Sequence, residues 1–237
     1  MNNIEYNFFI LKNIYKKKRL KKYYNSLISN YTREDNYIYF SSSYQPEART
    51  TILANHFSHQ ELALKNLIEF LPDGWFIYFK EHPSIFSEIS NGRPYLTRSK
   101  NYYDRLIKLN KVKFISTKVN SFELIENSKG VASCGGTASF EACVFNRPSI
   151  SFCNTWYSKC NLIYNGFIKK NVKNFYNDCI SNIRNDNSTE ILKYLTAIEN
   201  SAYKIKINKN RILRLGLNKE EKLNISDAYM DAYYKIF

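Results

Sequence analysis

From Tyr37 onward, short apolar runs alternate with longer stretches in which apolar residues recur at helical spacing. Tyr37-Ile38-Tyr39-Phe40 predicts a strand. Between Phe57 and Leu71, the positions of Leu62, Leu64, Leu67 and Ile68 predict a helix, halted by Pro72-Asp73-Gly74. Trp75-Phe76-Ile77-Tyr78-Phe79 is apolar throughout, as a strand covered on both faces requires, and Lys80-Glu81-His82-Pro83 ends it. The alternation continues with a helix over 102–109, a strand over 112–115, a helix over 122–127, a strand over 130–133, a helix over 138–145 and a strand over 149–152. Strands and helices in this order predict an α/β fold: a Rossmann-like parallel sheet with helices on both faces, wound by right-handed crossovers.

The flanks read differently. Residues 14–24 place six positive charges among apolar and aromatic side chains without a Gly or Pro, which predicts a basic helix or a loosely attached arm. Such a segment suits an anionic membrane surface, and equally a solvated helix face or a linker. Beyond Asn165 the pattern is helical, with candidates over 172–183, 190–200 and 227–234. Three parts are therefore expected: a basic helical arm over 1–35, a Rossmann-like domain over 36–168 and a C-terminal helical segment over 169–237 packing on it.

Composition narrows the function classes. The 237 residues are 44% hydrophobic and carry a net charge of +14, which favours anionic partners. Abundant Lys, Asn, Ile and Tyr, with only seven Gly, point to a compositional bias that inflates surface Lys, so the charge is weak ground for nucleic-acid binding. That function needs basic residues interleaved with exposed aromatics along one face, and only residues 14–24 qualify. The start, Met-Asn-Asn-Ile-Glu-Tyr, has no basic n-region followed by an apolar h-region, and no apolar run reaches spanning length, so a cytoplasmic chain is expected. Five cysteines without a C-x-x-C pair predict reduced, mostly buried thiols and neither a disulfide framework nor a zinc site. His56 and His59, three apart, lack an Asp or Cys at matching spacing, so no metal is expected. The absence of a G-x-S-x-G elbow argues against a Ser-His-Asp hydrolase.

A parallel sheet of this kind binds its ligand outside the carboxyl ends of its strands, which directs attention to the loops after Phe40, Phe79, Ser133 and Phe152. Ser133-Cys134-Gly135-Gly136-Thr137 leads from a strand into a helix. The two glycines allow a ligand close to the backbone, and the free N–H groups of the first helical turn favour an anion such as phosphate. Thr137 and Ser139 add hydroxyl donors, and Glu141 is placed to accept from the hydroxyls of a ribose. The same residues also fit a tight turn capped by Thr137, for the loop is neither G-x-G-x-x-G nor a Walker loop. In Lys80-Glu81-His82-Pro83, His82 can donate to a phosphate oxygen or a base carbonyl and Lys80 supplies a point charge, with Pro83 orienting the loop. A structural histidine is the other reading. Ser41 to Glu47 forms a polar loop bent by Pro46, and Trp156-Tyr157 could line a base or sugar pocket or pack on the sheet end.

Taken together, Tyr44-Gln45-Pro46-Glu47, Gly74-Trp75, Lys80-Glu81-His82-Pro83, Gly136-Thr137, Glu141-Ala142, Arg147-Pro148 and Phe152 with Trp156-Tyr157 resemble the capsular polysaccharide biosynthesis family over about residues 36–168. Its members look like glycosyltransferases of the two-Rossmann-domain (GT-B) type and include the Kdo transferases. The resemblance implies a C-terminal, nucleotide-binding half. It carries the His-Pro motif beside the cytidine monophosphate of a CMP-sugar onto His82 and Pro83. The phosphate-holding helix start carries onto Gly136, Thr137 and Ser133, with Gly135 in the same loop, and the ribose position onto Glu141. Catalytic candidates are His82, Lys80 and Glu47.

Two departures qualify the resemblance. A complete GT-B enzyme has a second Rossmann domain before this one, which residues 1–35 cannot supply. The Ser133–Thr137 loop also resembles the Ser-Gly-Gly loop of UDP-GlcNAc 2-epimerases. The expectation is a glycosyltransferase module of capsular or surface polysaccharide assembly that binds a nucleotide sugar, CMP-Kdo for example, and a glycan or glycolipid acceptor. It needs no cofactor and no metal. An N-terminal-half partner and a peripheral contact with the inner membrane are the further expected partners. The alternatives are a non-catalytic remnant, an accessory subunit of a split enzyme, or a UDP-sugar enzyme.

Overall fold

A computed structural model describes residues 3–47, 49–87, 97–202 and 227. The chain divides into two compact units, 1–191 and 192–237.

Six parallel strands form one sheet: β1 (Tyr37–Ser41), β2 (Phe76–Lys80), β3 (Val112–Ile115), β4 (Gly130–Ser133), β5 (Ser149–Ser151) and β6 (Ile163–Asn165). Their spatial order is β3-β2-β1-β4-β5-β6. After β3 the chain returns to the far side of β1, where Ile38 pairs with Gly130 on one edge and with Ile77 on the other. This reversal between β1 and β4 is the topological switch point of a Rossmann sheet, beside which loops diverge and leave a crevice. The expected α/β fold with a parallel sheet is what the chain adopts.

Alternation along each strand sends side chains to two cores. One face carries Ile38, Phe40, Ile77, Phe79, Phe114 and Ile150. Against it pack α2 (Gln60–Ile68), α3 (Lys100–Ile107) and α6 (Lys169–Ser181) through residues such as Leu64, Leu106 and Phe175. The other face carries Tyr37, Tyr39, Tyr78 and Val131 under α4 (Ser121–Asn127) and α5 (Ala138–Val144). Tyrosine serves there because its hydroxyl reaches a partner at the rim: Tyr37 donates to the Leu124 carbonyl at 2.9 Å, and its ring stacks on Tyr78 at 4.2 Å.

The N-terminal boundary differs from expectation. Residues Asn3–Ser26 form one helix, α1, whose C-terminal part belongs to the domain. Tyr24 is fully buried, ringed by Phe86, Tyr103 and Phe114 at 5.3, 5.3 and 5.7 Å. Its hydroxyl donates to the Ile115 carbonyl at 2.7 Å and accepts from the Glu81 N–H at 3.1 Å. Burial pushes this phenol well above its ordinary range. The domain therefore starts before residue 36, because a full aromatic side chain of α1 fills a hole in the core. The lysine-rich segment hides this, since its charges dominate the pattern while Leu20 and Tyr24 face inward and even Lys17 is buried.

Three smaller differences follow from local interactions. The helix expected from Phe57 opens instead with a 3₁₀ turn, Asn55–Ser58, and becomes α-helical only at Gln60. Strand β6 has no signal in the sequence, because three residues, Ile163-Tyr164-Asn165, carry no period; pairing with Ser149–Ser151 makes the strand. Helix α6 begins at Lys169, and α7 covers Ser188–Ser201. The expected helix over 227–234 lies outside the described residues apart from Asp227.

Candidate functional site

The crevice at the switch point is a cleft of about 470 Å³. It is lined by the loops after β1, β2 and β4 and by the start of α4. Lys80, His82, Pro83, Glu47, Gly135, Gly136, Thr137 and Glu141 all line it, so eight of the nine residues singled out from sequence meet in one place.

Strand β2 delivers Lys80 and His82 in different ways. Lys80 is the last residue of the strand and is buried; its ammonium donates to the Val119 carbonyl at 2.6 Å and to Ser121 Oγ at 2.7 Å. Burial pulls it below the ordinary lysine value. His82 precedes Pro83, whose ring starts a 3₁₀ turn, and the imidazole caps that turn: Nδ1 accepts from the Ser84 N–H at 3.2 Å. An Nδ1 that accepts leaves the proton on Nε2, the ring's remaining donor. Burial lowers the pKa of His82 against the opposing pull of Glu81 and Glu47, which keeps the ring neutral. The Tyr44 ring lies 5.8 Å away.

The loop after β4 supplies open backbone. Gly135 sits at φ +115°, where a Cβ would meet Cys153 Sγ and Thr50 Cγ2, both at 3.2 Å, so glycine is required. At Gly136 nothing stands within 4 Å of the place a Cβ would take, and the peptide is approachable from the cleft. The Gly136 carbonyl is held from behind by the Tyr157 hydroxyl. Thr137 does not cap α5; its hydroxyl donates to Glu141, one turn on.

Ser133 is the exception among the nine. It is fully buried under α5 and does not line the cleft, with Oγ 2.8 Å from Ser139 Oγ. Ser139 in turn donates to the Ile150 carbonyl at 2.9 Å, so both hydroxyls tie α5 to β4 and β5. Helix α5 explains the correction: Ser133 is in register with Ser41 and Lys80, which do line the cleft, but α5 packs over the end of β4 and seals Ser133 beneath Ser139. Tyr157 is buried behind the glycine loop and half-exposed Trp156 packs on Phe140 at 4.8 Å; neither lines the cleft. His56 packs on Phe57, with ring centroids 4.0 Å apart. Among the described residues no three or more His, Cys, Asp or Glu side chains form a cluster suited to a metal ion.

The structure adds residues that the sequence reading missed. Glu81 is wholly buried: one carboxylate oxygen accepts from Ser42 Oγ and the His82 N–H, the other from Arg98 Nε at 2.8 Å and the Tyr103 hydroxyl at 2.9 Å. Arg98 also donates to Gln45 Oε1 at 2.8 Å and to the Ser43 carbonyl at 3.1 Å, and lies over the Tyr102 ring. Burial works against its charge, yet the attraction of Glu81 holds the guanidinium above its ordinary value. Gln60 clamps Ser43 from the other side through a pair of backbone bonds, 3.0 and 3.1 Å. Ser43 Oγ then reaches the Cys134 carbonyl at 2.8 Å, so the three strand-end loops are joined into one frame. Asn120, Ser121 and Phe122 form the far wall. Glu81 stood in a motif already noted, whereas Arg98 carries no local signal. The far wall follows β3, where Ser116 to Asn120 contain no glycine, proline or histidine to mark a site.

A model of the capsule polysaccharide biosynthesis protein family matches residues 4–203. No curated protein matches the chain. Among solved structures, the chain is similar to the UDP-GlcNAc 2-epimerase of Methanocaldococcus jannaschii, with 18% identity, TM-score 0.46 and coverage of 79% of this chain and 52% of that one. It is also similar to the KpsC β-Kdo 2,4 transferase of Thermosulfurimonas dismutans, with 17% identity, TM-score 0.45 and coverage of 77% and 55%. For the KpsC β-Kdo 2,7 transferase of the same organism the values are 12%, 0.44, 83% and 62%. The chain spans about half the length of the first of these structures.

Proposed function

Because the chain belongs to the capsule polysaccharide biosynthesis protein family, we propose that it is a glycosyltransferase module of capsular or surface polysaccharide assembly whose cleft holds a nucleotide sugar, CMP-linked as in CMP-Kdo. The observation that carries this reading is the convergence of Lys80, His82, the Gly135-Gly136 backbone and Glu141 on one cleft at the switch point.

In transfer, the bond between the anomeric carbon and the phosphate oxygen breaks and negative charge grows on the departing nucleotide. His82 Nε2–H, the Lys80 ammonium and the open peptides at Gly136 and Thr137 are donors fixed in advance for that charge, which is the arrangement that lowers such a barrier. Glu141, already oriented by Thr137, accepts from the ribose hydroxyls. Glu47, exposed on the rim, is the carboxylate available to take the proton of the incoming acceptor hydroxyl. The reading includes a second Rossmann half that completes the acceptor side.

The test is a thermal-shift panel with CMP, CDP, UMP, UDP and GDP. A nucleotide at 100 times its dissociation constant stabilises by about 2.7 kcal/mol. A shift confined to CMP and CDP is expected. Preference for UDP would transfer the site to UDP-sugar chemistry, and no shift with any nucleotide would favour a non-catalytic accessory role.

Among the described residues no helix is long and apolar enough to cross a membrane. Peripheral attachment through α1 extends the same proposal. Phe8, Leu11 and Tyr15, each more than half exposed, lie at i, i+3 and i+7 with Lys18 and Lys22 following on that face. Flotation with anionic liposomes at low salt is expected, and its absence would remove the extension.

A further inference from the structure

A second concavity, about 650 Å³, lies between α1 and the start of α3 and shares no lining residue with the cleft. Among the described residues, Lys16, Arg19 and Lys22 line it from α1 and Lys100 from the other wall, where Arg98 is buried and paired with Glu81; no carboxylate is among these lining residues, and Asp104 accepts from the Tyr23 hydroxyl. Lys16, Arg19 and Tyr23 are spaced i, i+3 and i+7, so they share one face of the helix. Tyr23 lies between the walls, with the Lys100 ammonium 5.2 Å from its ring centre. Residues 7–22 of α1 contain seven Lys or Arg and no Asp or Glu. Cations on two facing walls of a concavity create a positive field that focuses on whatever enters between them.

The groove also has a definite place relative to the cleft. The Tyr24 hydroxyl bonds the carbonyls of Phe79 and Ile115, at the carboxyl ends of β2 and β3, so this part of α1 stands at the sheet edge on which the cleft opens. Arg98 lines the groove, and its ion-pair partner Glu81 lines the cleft. One buried ion pair separates the two spaces.

We infer that this groove binds an anionic oligosaccharide, a glycan bearing carboxylates or phosphates, and presents it toward the cleft as the acceptor side of the reaction. The inference rests on the proposed function and deepens it by naming the acceptor's chemistry. A discrete ligand that enters between two walls meets the cations of both, whereas a flat bilayer meets only the outward side of α1. The volume suits a few sugar rings, and the Tyr23 ring with the aliphatic stems of Lys and Arg offers apolar surface to sugar C–H faces.

The test uses the full chain and calorimetry with trigalacturonic acid, a three-ring carboxylated probe, against neutral maltotriose. Binding of the acid that weakens with salt is expected, with no comparable binding of maltotriose. The triple variant Arg19→Glu, Lys22→Glu, Lys100→Glu should lower affinity for the acid by about tenfold or more while leaving nucleotide-induced thermal shifts unchanged. All three positions are exposed, and a carboxylate at Lys100 suits the first turn of α3, so the fold should persist. The corresponding triple Gln variant should give an intermediate loss. Equal binding of maltotriose, or an acid affinity indifferent to both variants, would overturn the inference. So would loss confined to binding of phosphatidylcholine vesicles containing phosphatidylglycerol, which would make the bilayer the occupant. Acid binding without any nucleotide response would leave the groove standing and remove the nucleotide reading instead.

Discussion

Glu81 and Arg98 meet at 2.8 Å with their side chains 0% and 1% exposed, and each also bonds a loop that shapes the cleft. A pair this deep contributes little net stability relative to apolar substitutes, because desolvation offsets most of the attraction. Its consequence is geometric: Ser42, Ser43, Gln45 and the His82 N–H all take their positions from it.

Breaking one side should therefore be far worse than removing both. Arg98→Met alone leaves Glu81 buried without its cation and should cost about 3–5 kcal/mol in urea unfolding. Glu81→Gln combined with Arg98→Met should recover part of that loss yet still weaken nucleotide binding. A double variant as unstable as the single one would count against this account.

The cleft's two principal ligand groups give a direct test. His82→Ala and Glu141→Ala should each weaken nucleotide binding by about 1–3 kcal/mol, the scale for losing a hydrogen bond to a charged or buried group. Calorimetry showing unchanged affinity in both would remove the site assignment. Ser133→Ala should leave affinity unchanged and cost about 1 kcal/mol of stability, since its hydroxyl serves only the inner network.

Neighbouring glycines should respond oppositely to alanine. Gly135→Ala forces a side chain into φ +115° against Cys153 and Thr50 and should destabilise by about 1–3 kcal/mol. Gly136→Ala enters open space, should leave the melting temperature nearly unaltered, and should reduce nucleotide affinity by placing a methyl where the ligand approaches. Melting and binding curves on the two variants separate a backbone requirement from a ligand requirement.

Acidification should act through His82. Its folded pKa lies below the ordinary 6.5, so between these two values the unfolded chain binds a proton that the folded chain does not. The stability contributed by this site is complete above 6.5 and is lost as pH falls from there through the folded pKa. Protonation also turns Nδ1 from acceptor to donor against the Ser84 N–H. Urea midpoints between pH 7.5 and 5 should fall less steeply in His82→Gln; parallel curves would show that another group is responsible.

The N-terminal helix should prove structural at one end only. Tyr24→Ala empties a core site and should cost about 3–5 kcal/mol, whereas Tyr15→Ala, at 62% exposure, should stay within about 0.5 kcal/mol. Thermal denaturation of the two variants decides whether the domain begins at α1.

Much of this was legible in the chain itself. The apolar runs marked five of the six strands, because a strand buried on both faces must be continuously hydrophobic, and Tyr37 to Phe40 and Trp75 to Phe79 could be little else. The ligand edge followed from the shared direction of the strands, which pointed to the loops containing Glu47, Pro83 and Glu141, whereas the strand order emerged only in the structure. Which strand end a helix covers has no local mark: Ser133 lies sealed under α5, whereas Lys80, in register with it across β1, reaches the cleft.

The sequence by itself determined the parallel sheet and the chemistry gathered at its edge, since both rest on short-range pattern: period, turn residues, and glycine or proline at points of reversal. Tertiary structure alone decided that Tyr24 belongs to the core, that Arg98 reaches back to Glu81 and Gln45, and that α1 and Lys100 face each other across a groove. Each of these joins residues 17 to 91 positions apart. A buried charge, a filled hole or a two-walled groove is a property of which distant surfaces meet, and no local window of the chain contains both of its sides.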